Sequence, residues 1–470
     1  MEKSAHSSSI SNTNVHVLLK SWNRDSISPE LLDTHIVQRL LDSTAGNCRE
    51  ASRMLLDNSL NRLEQTHPRD AHILRVRFID DQKAVVVAKS LNIEMDSLYK
   101  MQRRAIERLA EIVLQLESEA EEQTKKLLLA KLDEPVYNDL FGIGEIADSL
   151  SSALRSDGPP WIFVIEGLGG IGKTTLADII SRRAIMEGSV RHFGWVSARQ
   201  ESLSLTGSIR SSGAAHISIE TLIDHLLEQC IPEYPTPVQS YDKAVAALQQ
   251  HVKEHPHLLV IDNLESAENM EVLLPTIRRL ANPTRFLLTS RISQYGEGDV
   301  YHVRVPELNM SDALGLVRHE ATIRNLPQIV DATDNQLSKI YETTGGNPLA
   351  LRLIVGQMHM HGLDTVVDDL KQARGKPVQN LYTFIFRRAW EHLDEITRRT
   401  LLAMPLIATH GGNLETIGEI SGISSDAILG AINQLVTLNL VDSRGTLNHR
   451  LYTIHSLTRT FLEEQVARWA

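Results

Sequence analysis

The sequence predicts a multidomain chain built around an α/β layer with a parallel sheet, preceded by an all-α region and followed by a mostly helical third. Three observations carry this. At 470 residues the chain suits about three domains of roughly 150 residues each. Between residues 161 and 305 short apolar runs alternate with helical patterns, as in parallel strands covered by helices. Before residue 118 and after residue 306 helical periodicity takes over, broken only by a hairpin candidate at 441–455.

The elements follow in order. Residues 1–14 are rich in Ser and Asn and read as disordered, after which Leu31, Leu32, Ile36, Leu40 and Leu41 recur at helical spacing in a region ending near 66. A second helical stretch fills 67–117. It is closed by ESEAEEQTKK at 117–126, a solvated charge run that opens a charged helix or linker over 118–136. Strands are expected at WIFVIE (161–166), GWVSA (194–198), HLLVID (257–262), RFLLTS (285–290) and YHVRV (301–305), within a domain spanning 137–306. A small helical domain at 307–376 and a final domain at 377–470 complete the chain. No period of 20 to 50 residues signals a repeat array.

Composition narrows the class. Lys plus Arg number 48 and Asp plus Glu 59, a net charge of −11, which argues against a chain that binds nucleic acid over its whole surface. Cys48 and Cys230 are the two cysteines, far apart and without metal-ligand spacing, so a reducing compartment, the cytoplasm, is expected. The first thirty residues hold no signal-peptide core, and runs such as WIFVI are far short of a membrane span.

The chemistry sits in GLGGIGKTT. Gly167, Gly172, Lys173 and Thr174 have the spacing G-x-x-x-x-G-K-[ST] directly after an apolar strand and before the helical LADIISRRA. Gly167, Gly169, Gly170 and Gly172 let the backbone N–H groups turn toward phosphate oxygens. Lys173 neutralises the β and γ phosphates, the Thr174 hydroxyl ligates Mg²⁺, and Thr175 lies in the same helical first turn. Gly167, Gly169 and Gly172 also spell the dinucleotide pattern G-x-G-x-x-G, with Glu187 about 20 residues on. Lys173-Thr174 and the helix-to-strand position of Glu187 decide for an ATP or ADP site.

Asp262 ends HLLVID, where a P-loop fold needs a carboxylate for the Mg²⁺ shell. Its neighbour is Asn263, with Glu265 beyond; an amide is no general base, so slow or conditional hydrolysis is expected. Arg291, closing RFLLTSR, is positioned to reach a γ-phosphate.

With these residues in hand the chain resembles the NB-ARC (AP-ATPase) group of STAND proteins, which includes plant immune receptors, the animal apoptosome ATPase and many bacterial regulators. The matching pieces are GLGGIGKTTLA, LLVIDN, LLTSR, GGNPLAL at 345–351 and YTIHSL at 452–457, in family order. The resemblance implies a winged helix over 377–470, adenine packing by Pro348 and contact of His455 with the ADP β-phosphate in a closed state. It further implies ADP-to-ATP exchange that opens the chain and permits homo-oligomeric assembly. The family's Met-His-Asp reads Ile454-His455-Ser456 here, which implies weaker autoinhibition. DEPVYNDLFGIGE before the P-loop is similar to the family's adenine-contacting segment, making Val136 and Tyr137 candidates, although the usual Gly-Arg reads Gly142-Ile143. Members generally carry a repeat array after the winged helix, and this chain stops at Ala470. A sensor that is absent, lost or supplied by another polypeptide is implied.

Residues 71–117 resemble the helix-turn-helix of sigma-factor region four, with Ala88, Leu91 and Ile93 at the small, core and turn positions. Ser97, Tyr99, Lys100, Gln102 and Arg103 form the candidate DNA-binding face. Asp80-Asp81-Gln82 replaces the family's glycine-containing turn, and a trihelical protein-interaction module remains the other reading. Two functions stay open: a signal-dependent transcription regulator, and an immune-type oligomerising ATPase.

Overall fold

The computed structural model describes residues 10–22, 29–32, 34–44, 46–135, 137, 139–197, 218–235, 240–264, 267–290, 298–359, 362–363, 365–366, 390, 393–407, 411–438, 440–446, 449–454, 458–459 and 462. The chain divides into two compact units: residues 1–130 with 185–191, and residues 131–184 with 192–470.

The first unit is helical. Its first helix, Asn12–Lys20, begins inside the stretch read as disordered, with the Ser11 hydroxyl accepting from Asn14 N–H as an N-cap. Leu18, Leu19, Leu31, Leu55, Leu60 and Leu63 share one core with Ala105, Leu109 and Val113 of a later helix. The expected boundary at 66/67 therefore does not divide the core. That later helix, Met95–Leu129, is 35 residues long and runs on through the segment read as a linker, because Leu116 and Ala120 continue its buried face. The Glu122–Lys126 pair at 2.8 Å supports its solvated side, and the largely covered Glu121–Lys125 pair at 2.7 Å lies one residue earlier.

Glu117, assigned to the solvated charge run, is buried instead. Its two carboxylate oxygens accept from His35 N and Ile36 N, each at 2.9 Å, and so cap the His35–Ser43 helix. Desolvation raises its pKa, opposed by those two N–H donors.

Helices Ala84–Ser90 and Met95–Leu129 are joined by a turn with Asn92 in the left-handed region at φ +54°. Ala88, Leu91 and Ile93 pack with Ile73, Val87 and Leu98 in a small core of their own. Ile93 N donates to Ala88 O at 3.0 Å and closes the turn.

The second unit centres on five parallel strands: β1 Ile162–Glu166, β2 His192–Ser197, β3 His257–Leu264, β4 Arg285–Ser290 and β5 Val300–Arg304. Their order is β2-β3-β4-β1-β5. Every residue of β1 is buried and β3 and β4 nearly match it, which is why these central strands read as continuous apolar runs, whereas the edge strands β2 and β5 are only partly buried. After β5 come helices Met310–Ile323, Asp334–Thr344, Pro348–Gln357, Glu395–Ala403, Leu414–Ser421 and Ser425–Thr437, then an antiparallel hairpin of β6 Asp442–Thr446 and β7 His449–Thr453. Among the described residues, buried side chains between Leu308 and Leu462 share one core that spans the two C-terminal domains expected from sequence.

Candidate functional site

The site forms at the carboxyl ends of β1, β3 and β4. The chain leaves β1 toward β2 on one side and crosses from β4 to β5 on the other, and such a reversal opens a crevice at strand ends. β1 delivers the backbone to Gly167, whose φ is +155° and whose Cβ, were there one, would lie 3.0 Å from the Val305 carbonyl. Gly172, at φ +104°, faces open space, which leaves the backbone approachable by a phosphate. Helix Lys173–Met186 starts there, with Thr174 and Thr175 in its first turn. The Lys173 ammonium donates to the carbonyls of Gly167 and Leu168, each at 2.9 Å. Glu187 lies in the turn after this helix rather than at a strand end.

β3 presents Asp262, only 3% exposed. The Thr174 hydroxyl donates toward its two oxygens at 2.9 and 3.1 Å, the Thr289 hydroxyl donates at 2.5 Å, and Asn263 Nδ2 donates at 2.9 Å. Asn263 stands in the left-handed region at φ +67°, and its N–H donates to Thr289 Oγ1 at 2.8 Å. Thr289 reaches the carboxylate because β4 lies between β1 and β3. Burial pushes the Asp262 carboxyl above the ordinary carboxylate range, opposed by the Thr289 and Thr174 hydroxyls and the charge of Lys173.

These residues fit a polyphosphate and a divalent cation. A phosphate oxygen can replace the two carbonyls that hold Lys173, and the Thr174–Asp262 pair supplies the hard oxygen donors that Mg²⁺ takes.

GGNPLAL wraps the outer curve of the loop. Asn347, 1% exposed, donates through Nδ2 to the Gly169 carbonyl at 3.0 Å, and its Oδ1 accepts from Leu349 N and Ala350 N at 3.1 and 3.3 Å. Leu349 N donates to the Gly170 carbonyl at 3.3 Å, and a Cβ on Gly170 would meet Leu349 Cβ at 2.7 Å. Pro348 is half-buried at the first position of its helix, where a missing N–H costs nothing. Tyr137 donates its hydroxyl to Asp178 at 2.6 Å, tying the segment before β1 to the P-loop helix, and burial with that carboxylate raises its pKa.

In the first unit Ser97, Tyr99, Lys100 and Arg103 are exposed, Arg103 pairing with Glu107 at 3.3 Å. Gln102 is half-buried and accepts from Arg77 at 3.3 Å, which occupies part of its hydrogen-bonding capacity. Val136, Glu265, Arg291, His455 and Ser456 lie outside the described residues. Sequence reasoning missed Thr289 and Asn347 as parts of the site. The signal for Asn347 was present, since Asn followed by Pro is a helix N-cap pattern.

Residues 143–326 match the NB-ARC domain model. The chain is 22% identical over 331 residues to the Transcription activator GutR of Bacillus subtilis, covering 66% of this chain and 38% of that protein. It is 22% identical over 300 residues to the Disease resistance protein RPV1 of Vitis rotundifolia, covering 62% of this chain and 20% of that protein. It thus spans less than half the length of either relative. Among solved structures, a STAND protein with a tetratricopeptide repeat sensor from Pyrococcus horikoshii aligns with a TM-score of 0.47 and 16% identity, over 71% of this chain and 44% of that one.

Proposed function

We propose, from the premise that this chain belongs to the NB-ARC proteins through residues 143–326, that it is an ADP/ATP-dependent switch coupling a signal to its N-terminal module. The observation that carries the reading is the ring around Asp262. Thr174 and Thr289 hydroxyls and the Asn263 amide all face this one carboxylate. Gly167, Gly169, Gly170, Gly172, Lys173, Thr174 and Thr175 would hold the phosphates, Thr174 and Asp262 would hold Mg²⁺, and Pro348 would lie against the adenine with Val136 and Tyr137. The bound cation would supply charge neutralisation of the phosphates. Asn263 occupies the position beside Asp262 from which an acid would polarise water, and an amide takes no proton. The site therefore holds a nucleotide longer than it consumes one. Arg291 would distinguish ATP from ADP, and His455 would lock the closed form.

For the N-terminal module, DNA binding by Ser97, Tyr99, Lys100, Gln102 and Arg103 is supported by their position on the second helix of a helix-turn-helix pair, and by a relative described as a transcription activator. The second reading, an oligomerising defence ATPase with a protein-interaction module, draws on Val85 and Val86, which are 54% and 51% exposed on the first helix of that pair.

Lys173→Ala is expected to abolish binding of a fluorescent ADP analogue, and wild-type turnover at the rate of an ordinary metabolic ATPase would defeat the switch reading. A gel shift of the full chain and of a Lys100→Ala/Arg103→Ala variant over a salt series separates the two modules. DNA binding would weaken steeply with salt and in the variant.

A further inference from the structure

Among the described residues, Asn347 joins two segments that the sequence holds far apart. Its Nδ2 donates to the Gly169 carbonyl on the outer curve of the phosphate loop, while its Oδ1 caps the helix Pro348–Gln357. The residue is buried, and the contact around it is tight. Leu349 N reaches the Gly170 carbonyl at 3.3 Å, and Gly346 lies against the Leu308 backbone so closely that a Cβ there would fall 1.9 Å from the Leu308 carbonyl oxygen. A displacement of Gly169 and Gly170 must therefore be followed by the start of this helix or break the bonds from Asn347 Nδ2 and Leu349 N that tie the two together.

The far end of the same helix is equally constrained. A Cβ on Gly356 would lie 2.5 Å from the Leu438 carbonyl oxygen, so the backbone just before β6 rests directly on the helix. Arg352, one turn earlier, bonds Glu320 at 2.9 Å and Asp442 at 3.1 Å, the latter the first residue of β6. Arg324 pairs with Glu320 at 3.4 Å and donates to the Val436 carbonyl at 2.8 Å. A single helix of 10 residues thus touches the phosphate loop at one end and Leu438 and the start of β6 at the other.

We propose that Asn347 is a positioning residue that ties the phosphate loop to helix Pro348–Gln357, so that the state of the loop is relayed along this helix to residues 436–442. The inference rests on the nucleotide-switch reading and deepens it. Asn347 is not assigned contact with the nucleotide; it acts through Gly169.

Asn347→Ser tests this, because serine keeps the helix cap but is too short to bridge to Gly169. Asn347→Ala loses both. In the full chain, Asn347→Ser is expected to bind a fluorescent ADP analogue about five- to tenfold more weakly, the worth of one buried hydrogen bond. Its melting temperature should fall only slightly, by the loss of that one hydrogen bond, whereas Asn347→Ala, which loses the helix cap as well, should melt a few degrees lower still. Hydrogen exchange supplies the readout a purely structural role would not move. ADP should change protection at residues 436–442 in the wild type, and that change should shrink in Asn347→Ser. Wild-type affinity in Asn347→Ser overturns the proposal. So does an undiminished ADP effect at 436–442 in that variant, or the lack of one in the wild type. Failure of the wild type to bind ADP would instead bring down the nucleotide reading beneath it.

Discussion

Thr289→Val removes one hydroxyl from a buried ring and leaves the shape unchanged. In the wild type that hydroxyl donates to Asp262 Oδ1 at 2.5 Å and accepts from Asn263 N at 2.8 Å, with Thr289 only 1% exposed. A hydrogen bond to a charged group is worth about 1.5–3 kcal/mol, and a buried N–H left without a partner adds about 1 kcal/mol or more. The two losses overlap, so about 2–4 kcal/mol is expected. Amide exchange of β3 and β4 measures it, and at about 1.4 kcal/mol per decade the core amides should exchange about 30- to several-hundred-fold faster. The pH dependence adds a second check. Desolvation already raises the Asp262 pKa and the Thr289 hydroxyl opposes it, so the variant raises it further. Because that hydroxyl favours the ionised carboxyl over the protonated one, the penalty of the variant should grow as pH rises and shrink in acid. A penalty below about 0.5 kcal/mol, or one that grows in acid, would refute the assignment of Thr289 as the support of Asp262.

Further outcomes follow from other buried groups. Burial, followed by the charge of His192, holds His257 down at about 3, so the neutral ring is the folded form; the stability it provides is complete above the ordinary histidine range and declines as pH falls toward 3. At pH 5 the loss is about 2 kcal/mol, and His257→Gln should flatten the urea-midpoint profile between pH 7 and 5; an unchanged slope contradicts this. Arg352→Met leaves Glu320 and Asp442 facing a methionine. Unfolding should become easier by about 2 kcal/mol, below the figure for a fully buried pair because the Arg352 side chain is 26% exposed. Thermal unfolding without a shift would show the cluster to be incidental. Asn263→Asp sets a second acid beside Asp262 and is expected to raise ATP turnover; a rate at or below wild type counts against the amide as the reason for slow hydrolysis.

The centre of the parallel sheet was legible because burial on both faces writes itself as uninterrupted apolar runs in β1, β3 and β4, and β4 was read to its last residue from RFLLTS. The phosphate loop was legible because its glycines, Lys173 and Thr174 are contiguous in sequence. Thr289 and Asn347 were not, since each acquires its role from a partner brought close only by strand order or chain return: Asp262 for the first, Gly169 for the second. Glu117 misled for a related reason. It opens an acidic run in which Glu119 and Glu122 are exposed, yet the apolar stripe of Leu116 and Ala120 turns Glu117 itself inward to cap a helix. Composition could not choose between the two readings left open for the charge run, helix or linker; i,i+4 pairs help carry the helix on to Leu129.

The most direct test of the switch is the identity of the nucleotide carried by the chain when it is purified without added nucleotide and then denatured. Release of stoichiometric ADP from the wild type, and none from Lys173→Ala, is the expected result. Release of a dinucleotide, of no adenine nucleotide, or of the same ADP from Lys173→Ala would contradict the account.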